Sequence, residues 1–162
     1  MSKKFLILGN QNAINYKEIF SYIKNNELWL GLSIRGGDRE FQVPKSYPLE
    51  AANCREDKDG NRFIRITGVR WFENINNTSI NKKFLDLIKT YNSSDYPVYD
   101  NYNAIEVSKV KDIPKDYYGN MGVPLTFLDK FNPNQFEIID KLNVPFINKK
   151  GIYKRLIIKR KI

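Results

Sequence analysis

Residues 4–34 spell out strand, helix, strand, and that order restricts the fold more than any other feature of the chain. KFLILG (4–9) is a continuous apolar run closed by glycine. It is too short for a helix and has the character of a buried parallel strand. In GNQNAINYKEIFSYIKNN the period changes. Ile14, Ile19, Phe20 and Ile23 recur at approximate helical spacing from about Asn15, and Asn25-Asn26 mark the end. LWLGLSI is a second short strand, interrupted by Gly31. A helix joining two strands is the crossover unit of an α/β sheet.

The regular pattern lapses at residues 35–62, where Arg35-Gly36-Gly37-Asp38, two prolines and REDKDGN indicate an excursion with one short strand at FQV and a turn at DKDG. RFIRITGVRWFENI then alternates as a strand or hairpin. INKKFLDLIKTY regains helical spacing through Phe84, Leu85 and Ile88. Composition shifts at Asn92-Ser93-Ser94, which sets a boundary between 1–91 and 92–162. Beyond it the chain is rich in tyrosine and asparagine. Ala104–Ile113 is expected as a strand, PLTFLDKF as a short helix, FEIID as a strand after Asn132-Pro133-Asn134, and GIYKRLIIKRKI as a last strand with basic ends.

Several kinds of chemistry are excluded. The chain has no histidine, so Ser-His and Cys-His nucleophiles, histidine general bases and imidazole zinc sites are out of reach. Cys54 is the one cysteine, which permits neither an internal disulfide nor a Cys-rich metal site and suits a reducing cytoplasm. The four-residue apolar run Phe5–Leu8 is too short for a signal peptide or a membrane span, so a soluble cytoplasmic protein is expected. Ten Phe, ten Tyr and two Trp residues can supply a core. The net charge of +9 favours a polyanion such as nucleic acid. The joint abundance of Lys, Asn, Ile and Tyr fits an A/T-rich coding sequence equally well.

FLILGNQNAINYKEIF (5–20), GVRWFENI (68–75) and the stretch 96–139 beginning YPVYDNYNAIEV resemble the carboxy-terminal part of the EcoRI-type adenine-specific DNA methyltransferases. The resemblance runs from Phe5 to Lys161 and weakens between Arg35 and Arg62. It implies an α/β fold: a partial Rossmann-like methyltransferase sheet with flanking helices over 1–91, then a β-rich target-recognition region with a basic last strand over 92–162. In that family an S-adenosylmethionine loop and an Asn-Pro-Pro-Phe motif lie upstream of the FLILGN-like strand, and this chain has no adjacent prolines. The resemblance therefore implies S-adenosylmethionine as cofactor of an assembled enzyme, no cofactor and no catalytic residue in this chain alone, double-stranded DNA as substrate, and a separate amino-terminal catalytic half as partner. The alternative is a free-standing, non-enzymatic module that binds DNA or a partner, as a decoy or regulator in restriction or phage conflict.

Candidate site residues follow. Asn10, Gln11 and Asn12 stand at the carboxyl end of the first strand, where α/β sheets place ligands, yet Asn there also caps helices. By resemblance, Trp71 or Phe72 stacks on an adenine flipped from the duplex; one of the two must face the core, because strand side chains alternate. Arg70, Tyr99, Asn101, Lys109, Lys111, Tyr117 and Tyr118 are candidate DNA contacts, combining phosphate-binding cations with groups that read base edges. Lys150, Lys154, Arg155, Lys159 and Arg160 extend that set into the tail, which holds seven cations between Lys149 and Lys161. A charged edge strand guarded against aggregation would look the same. Glu73, Asp100, Glu106 and Asp112 have no catalytic spacing and are expected to meet nearby cations.

Overall fold

The computed structural model describes residues 3–35, 38–48, 50, 53–75 and 82–161. The first unit is a three-stranded sheet in the order β1-β6-β2, formed by β1 (Leu6–Asn10), β2 (Trp29–Arg35) and β6 (Val69–Glu73). β6 lies between the other two and is antiparallel to both, so β1 and β2 run parallel. A 3-10 turn over Gln11–Asn15 and α1 (Lys17–Lys24) connect them, as the strand-helix-strand pattern requires. Glu18 in the first turn of α1 and Lys24 in the last complement its dipole. Asn26, with φ of 57°, closes the helix in the left-handed region that asparagine tolerates. Phe20 and Ile23 face the core.

The expected buried setting of β1 is corrected. Among the described residues only β6 pairs with it, and Leu6 and Ile7 are 55% and 54% exposed.

The excursion forms a small antiparallel sheet of its own, ordered β3-β5-β4, from β3 (Arg39–Val43), β4 (Cys54–Glu56) and β5 (Arg62–Ile66). Its β4–β5 turn is held by the Asp57 carboxylate, which accepts from the backbone of Asp59 and Asn61, with Gly60 at φ 75°. Arg55 pairs with Glu40, Arg62 with Glu56 and Arg65 with Asp38, so this arm neutralises its own charge. The run RFIRITGVRWFENI is two strands in different sheets, separated at Thr67-Gly68.

Residues 83–92 form no helix, contrary to their spacing. Phe84 and Ile88 are 60% and 76% exposed. The segment has no regular secondary structure, and the following region provides partners that a helix would forfeit. Gln135 bonds both backbone groups of Leu85, at 2.7 and 2.8 Å. Asn132 donates to the Lys82 carbonyl, and Asp116 accepts from the Tyr91 amide. Residues 80–81 of the expected helix lie outside the described residues.

The largest sheet has five strands in the order β10-β13-β9-β8-β7: β7 (Val98–Tyr99), β8 (Tyr102–Glu106), β9 (Met121–Pro124), β10 (Phe136–Leu142) and β13 (Arg155–Arg160). Only β8 and β9 are parallel neighbours. The Ala104–Ile113 strand is shorter than expected and gives way to a 3-10 turn at Val110–Asp112. PLTFLDKF forms a 3-10 turn over Leu125–Asp129. A hairpin of β11 (Phe146–Ile147) and β12 (Lys150–Gly151) precedes the last strand. β13 is not an edge strand: it runs between β10 and β9, with Leu156, Ile157 and Ile158 fully buried. One core cluster joins Phe20, Leu30 and Phe72 to Ile105, Phe127, Phe136 and Leu156.

Candidate functional site

At the carboxyl end of β1, Asn10 acts as a cap. Its Oδ1 accepts from the Asn12 amide at 2.8 Å, and its Nδ2 donates to the Thr67 carbonyl. The Gln11 amide donates to the Gly68 carbonyl at 2.6 Å, which fixes this corner to the start of β6. The Asn12 side chain is exposed there and Gln11 is partly so.

On β6, Phe72 is in the core and Trp71 lies on the opposite face, half-buried. Gly31, opposite Trp71 on β2, leaves room for it; a Cβ at residue 31 would come within 2.7 Å of the Trp71 Cβ. Arg70 is only 2% exposed, and its guanidinium meets Asp129 at 2.5 Å. It therefore ties β6 to the turn before β10, so its guanidinium lies inside and not on the open surface expected of a DNA contact.

In the carboxy-terminal region the expected contacts divide into buried and open ones. Tyr99 is buried and donates to Glu106, whose carboxylate also takes Arg155 at 2.7 Å and Ser108 at 3.1 Å. Burial, reinforced by Glu106, pushes the Tyr99 phenol far above its ordinary range. Burial works against the Arg155 charge, but its bonds to Glu106 outweigh this and raise its pKa. Tyr99 and Arg155, both expected as surface contacts, thus belong to an internal network. Tyr117 is half-buried, 4.6 Å between ring centroids from Tyr91, and burial raises its phenol. Asn101 is exposed, but its amide bridges the Val144 carbonyl and the Phe146 amide.

The open groups are Lys109, Lys111, Tyr118, Lys150 and Lys159, with Lys154 and Arg160 partly covered. Arg160 lies over the Tyr118 ring at 5.1 Å, a cation–aromatic pair of the kind that can grip a base or a phosphate. Lys159 and Lys161 flank it, whereas Lys150 and Lys154 lie beyond the other end of β13. At the rise of a strand, Lys154 and Lys159 are about 17 Å apart.

Sequence reasoning missed Asp129, Asn132 and Gln135, which act on residues 50 to 59 positions away. No local spacing announces such partners. Among the described residues no three His, Cys, Asp or Glu side chains gather as a metal site, and no helix is long and apolar enough to cross a membrane. A cavity of about 620 Å³ opens beside β1, lined by Phe5, Ile7, Ile19, Tyr22, Trp29 and Phe72 among others.

Comparison with known proteins adds a family. A family model described as "Adenine-specific methyltransferase EcoRI" matches residues 1–161. The chain is 48% identical over 167 residues to the type II methyltransferase M.EcoRI of Escherichia coli, covering 98% of this chain and 51% of the relative. It is 42% identical over 149 residues to M.MpnI of Mycoplasma pneumoniae, covering 89% of this chain and 46% of that protein. M.MgeORF184P of Mycoplasma genitalium is 41% identical, with 90% and 46% covered. The chain spans about half the length of these curated relatives. No solved structure matches it significantly.

Proposed function

The chain belongs to the EcoRI-type family of adenine-specific methyltransferases, and on that footing we propose that it is the carboxy-terminal, target-recognising portion of a cytoplasmic DNA methyltransferase. The assembled enzyme transfers methyl from S-adenosylmethionine to the exocyclic amino group of adenine in a duplex site. The cofactor loop and the catalytic Asn-Pro-Pro-Phe element belong to the other half. In this reading residues 1–91 are the distal part of a Rossmann-like catalytic domain, and 92–162 carry recognition.

The observation that carries the proposal is the family match over residues 1–161, against relatives of twice the matched length. The parallel pair β1 and β2, joined through α1, supports the sheet assignment. Asn10, Gln11 and Asn12 then border the reacting adenine, and Trp71, the member of its pair outside the core, stacks on that base. Phosphate tracking falls to the open cations Lys109, Lys111, Lys150, Lys154, Lys159 and Arg160, with Tyr118 beside Arg160.

The test is whether the chain, co-produced with a catalytic half from a relative, transfers labelled methyl from S-adenosylmethionine to duplex DNA. Incorporation that requires both halves is expected. Sequence-selective duplex binding without any methylation would favour the non-enzymatic module instead. In the assembled enzyme, Trp71→Ala should lower methylation roughly 10- to 100-fold, since stacking on one base is worth about 1–3 kcal/mol. Unchanged transfer would remove Trp71 from that role.

Binding should also depend on salt, because each phosphate contact releases condensed counterions. Lys159→Gln should weaken binding to all duplexes alike and reduce the slope of log K against log salt by about 1. A fluorescence-anisotropy titration across salt concentrations reads this directly. An unchanged slope would take Lys159 off the backbone track.

A further inference from the structure

The β11–β12 hairpin is short and superficial, yet it is held at its tip, its entry and its exit. Its strands pair Phe146 with Gly151 and Ile147 with Lys150, which leaves a two-residue turn of Asn148 and Lys149. Both residues have positive φ, 51° and 61°. Such turns are ordinarily Asn-Gly, because glycine takes the second position without a Cβ penalty. Here asparagine has its usual place, but a lysine stands where glycine would fold more easily. Backbone strain of this kind persists only where the surroundings hold it. At the tip, the Asp100 carboxylate accepts the Asn148 amide at 3.3 Å on one oxygen and the Lys149 amide at 2.7 Å on the other. At the entry, Asn101 bridges Val144 and Phe146, and the Asp100 amide donates to the Phe146 carbonyl at 2.8 Å. At the exit, the Arg155 guanidinium donates to the Tyr153 and Lys154 carbonyls while it pairs with buried Glu106. The hairpin is thus fixed to the interior of the five-stranded sheet, with Asn148, Lys149 and Lys150 exposed. Residues 143–154 contain three lysines and no acid.

We infer that this hairpin enters the major groove of the target duplex, where Asn148 and Lys149 read base edges. This rests on the reading under Proposed function that residues 92–162 carry recognition, and deepens it by naming the reading element. The major groove admits a two-stranded β-ribbon, and its edges suit these two side chains. A carboxamide bonds adenine at two points, and an ammonium donates to the acceptors of guanine. Discrimination is greatest when the backbone bearing the reading groups is set before contact, because ordering it on binding costs affinity. A turn that only reverses the chain needs neither a lysine in the left-handed region nor two amides anchored on one carboxylate. Lys150 and Lys154, beside the tip, then meet the phosphates that border the groove. Asp100 is a positioning residue: it touches no DNA and acts through the backbone of the turn.

The experiment offers a pool of duplexes with a randomised core to the 162-residue chain and sequences the bound fraction. The chain is used alone and co-produced with the half of the Escherichia coli relative that it does not match. The parent is expected to enrich a short motif. Lys149→Gly removes the side chain but suits the turn better, so it should melt no lower than the parent. It should nevertheless lose about 10-fold or more of the preference at one base pair, the worth of one good base contact, and keep the rest of the motif. Asn148→Gly should do the same at a neighbouring base pair. Asp100→Ala should relax those positions and no others, a pattern that general loss of stability does not produce. Asp100→Asn, which keeps one acceptor, should restore part of the preference. A Lys149→Gly variant that keeps the full preference, or that weakens all duplexes alike, would overturn the inference and leave the recognition reading standing. A parent that enriches no motif in either form would overturn that reading, and the inference with it.

Discussion

Glu106→Ala is expected to lower the stability of the chain by about 3–5 kcal/mol, the usual effect of removing one partner from a buried ion pair. The carboxylate is buried and holds three groups at once: the Tyr99 hydroxyl, the Arg155 guanidinium and the Ser108 hydroxyl. Truncation leaves Arg155 enclosed beside β8 and β9 without its counter-charge, and Tyr99 without its acceptor. For a chain of this size that corresponds to a fall in Tm of roughly 6–20 °C. Tyr99→Phe should cost less, about 1.5–3 kcal/mol, since it removes one hydrogen bond to a charged acceptor. The two losses should not add, because both act on the same carboxylate. A Glu106→Ala variant melting within about 2 °C of the parent would show that the network has little energetic weight.

Arg70→Ala should have an effect of similar size, about 3 kcal/mol, at the lower end of that range because the Asp129 side chain retains 19% of its exposure. The guanidinium links the three-stranded sheet to the turn over Leu125–Asp129, which packs against the core of the larger sheet through Phe127 and Leu128. Arg70→Lys should recover only part of the loss, since an ammonium cannot reproduce the geometry of the guanidinium fork. Urea denaturation followed by tryptophan fluorescence measures the change beside Trp71. A variant of parental stability that binds DNA more weakly would return Arg70 to the nucleic-acid surface.

Local pattern in the sequence was a good guide to the elements whose partners lie close at hand. KFLILG, the helix after it, LWLGLSI, FQV, GVRWFENI, FEIID and the last strand all form. In α1 and β10 the hydrophobic period coincides with the buried face. Pattern failed at residues 83–92, where Phe84, Leu85 and Ile88 have helical spacing but the backbone bonds to Gln135 and Asp116 instead. Those acceptors and donors are distant in sequence, so no window around Phe84 contains them.

The same reason explains the mixed fate of the site residues. Tyrosines and cations were legible as a set suited to DNA, but whether each faces solvent depends on sheet order. Tyr99 turns inward because β7 is paired to β8, and Arg155 because β13 lies beside β9. The capping role of Asn10 was foreseeable, since it involves residues two positions away as well as Thr67. The alternation of β6 required one of Trp71 and Phe72 to be internal, and only the tertiary structure selects Phe72.

The position of β13 bears on how the protein is made. It follows the other strands of its sheet in sequence and pairs with both β9 and β10. A ribosome delivers β10 before the only strand it pairs with, so that apolar ribbon must wait unpartnered until Arg155–Arg160 has cleared the exit tunnel. Closure of the sheet is thus tied to the synthesis of Arg155–Arg160. Deleting residues 155–160 would remove the strand that joins β10 to the β9-β8-β7 set, leaving two unjoined strand sets open to aggregation.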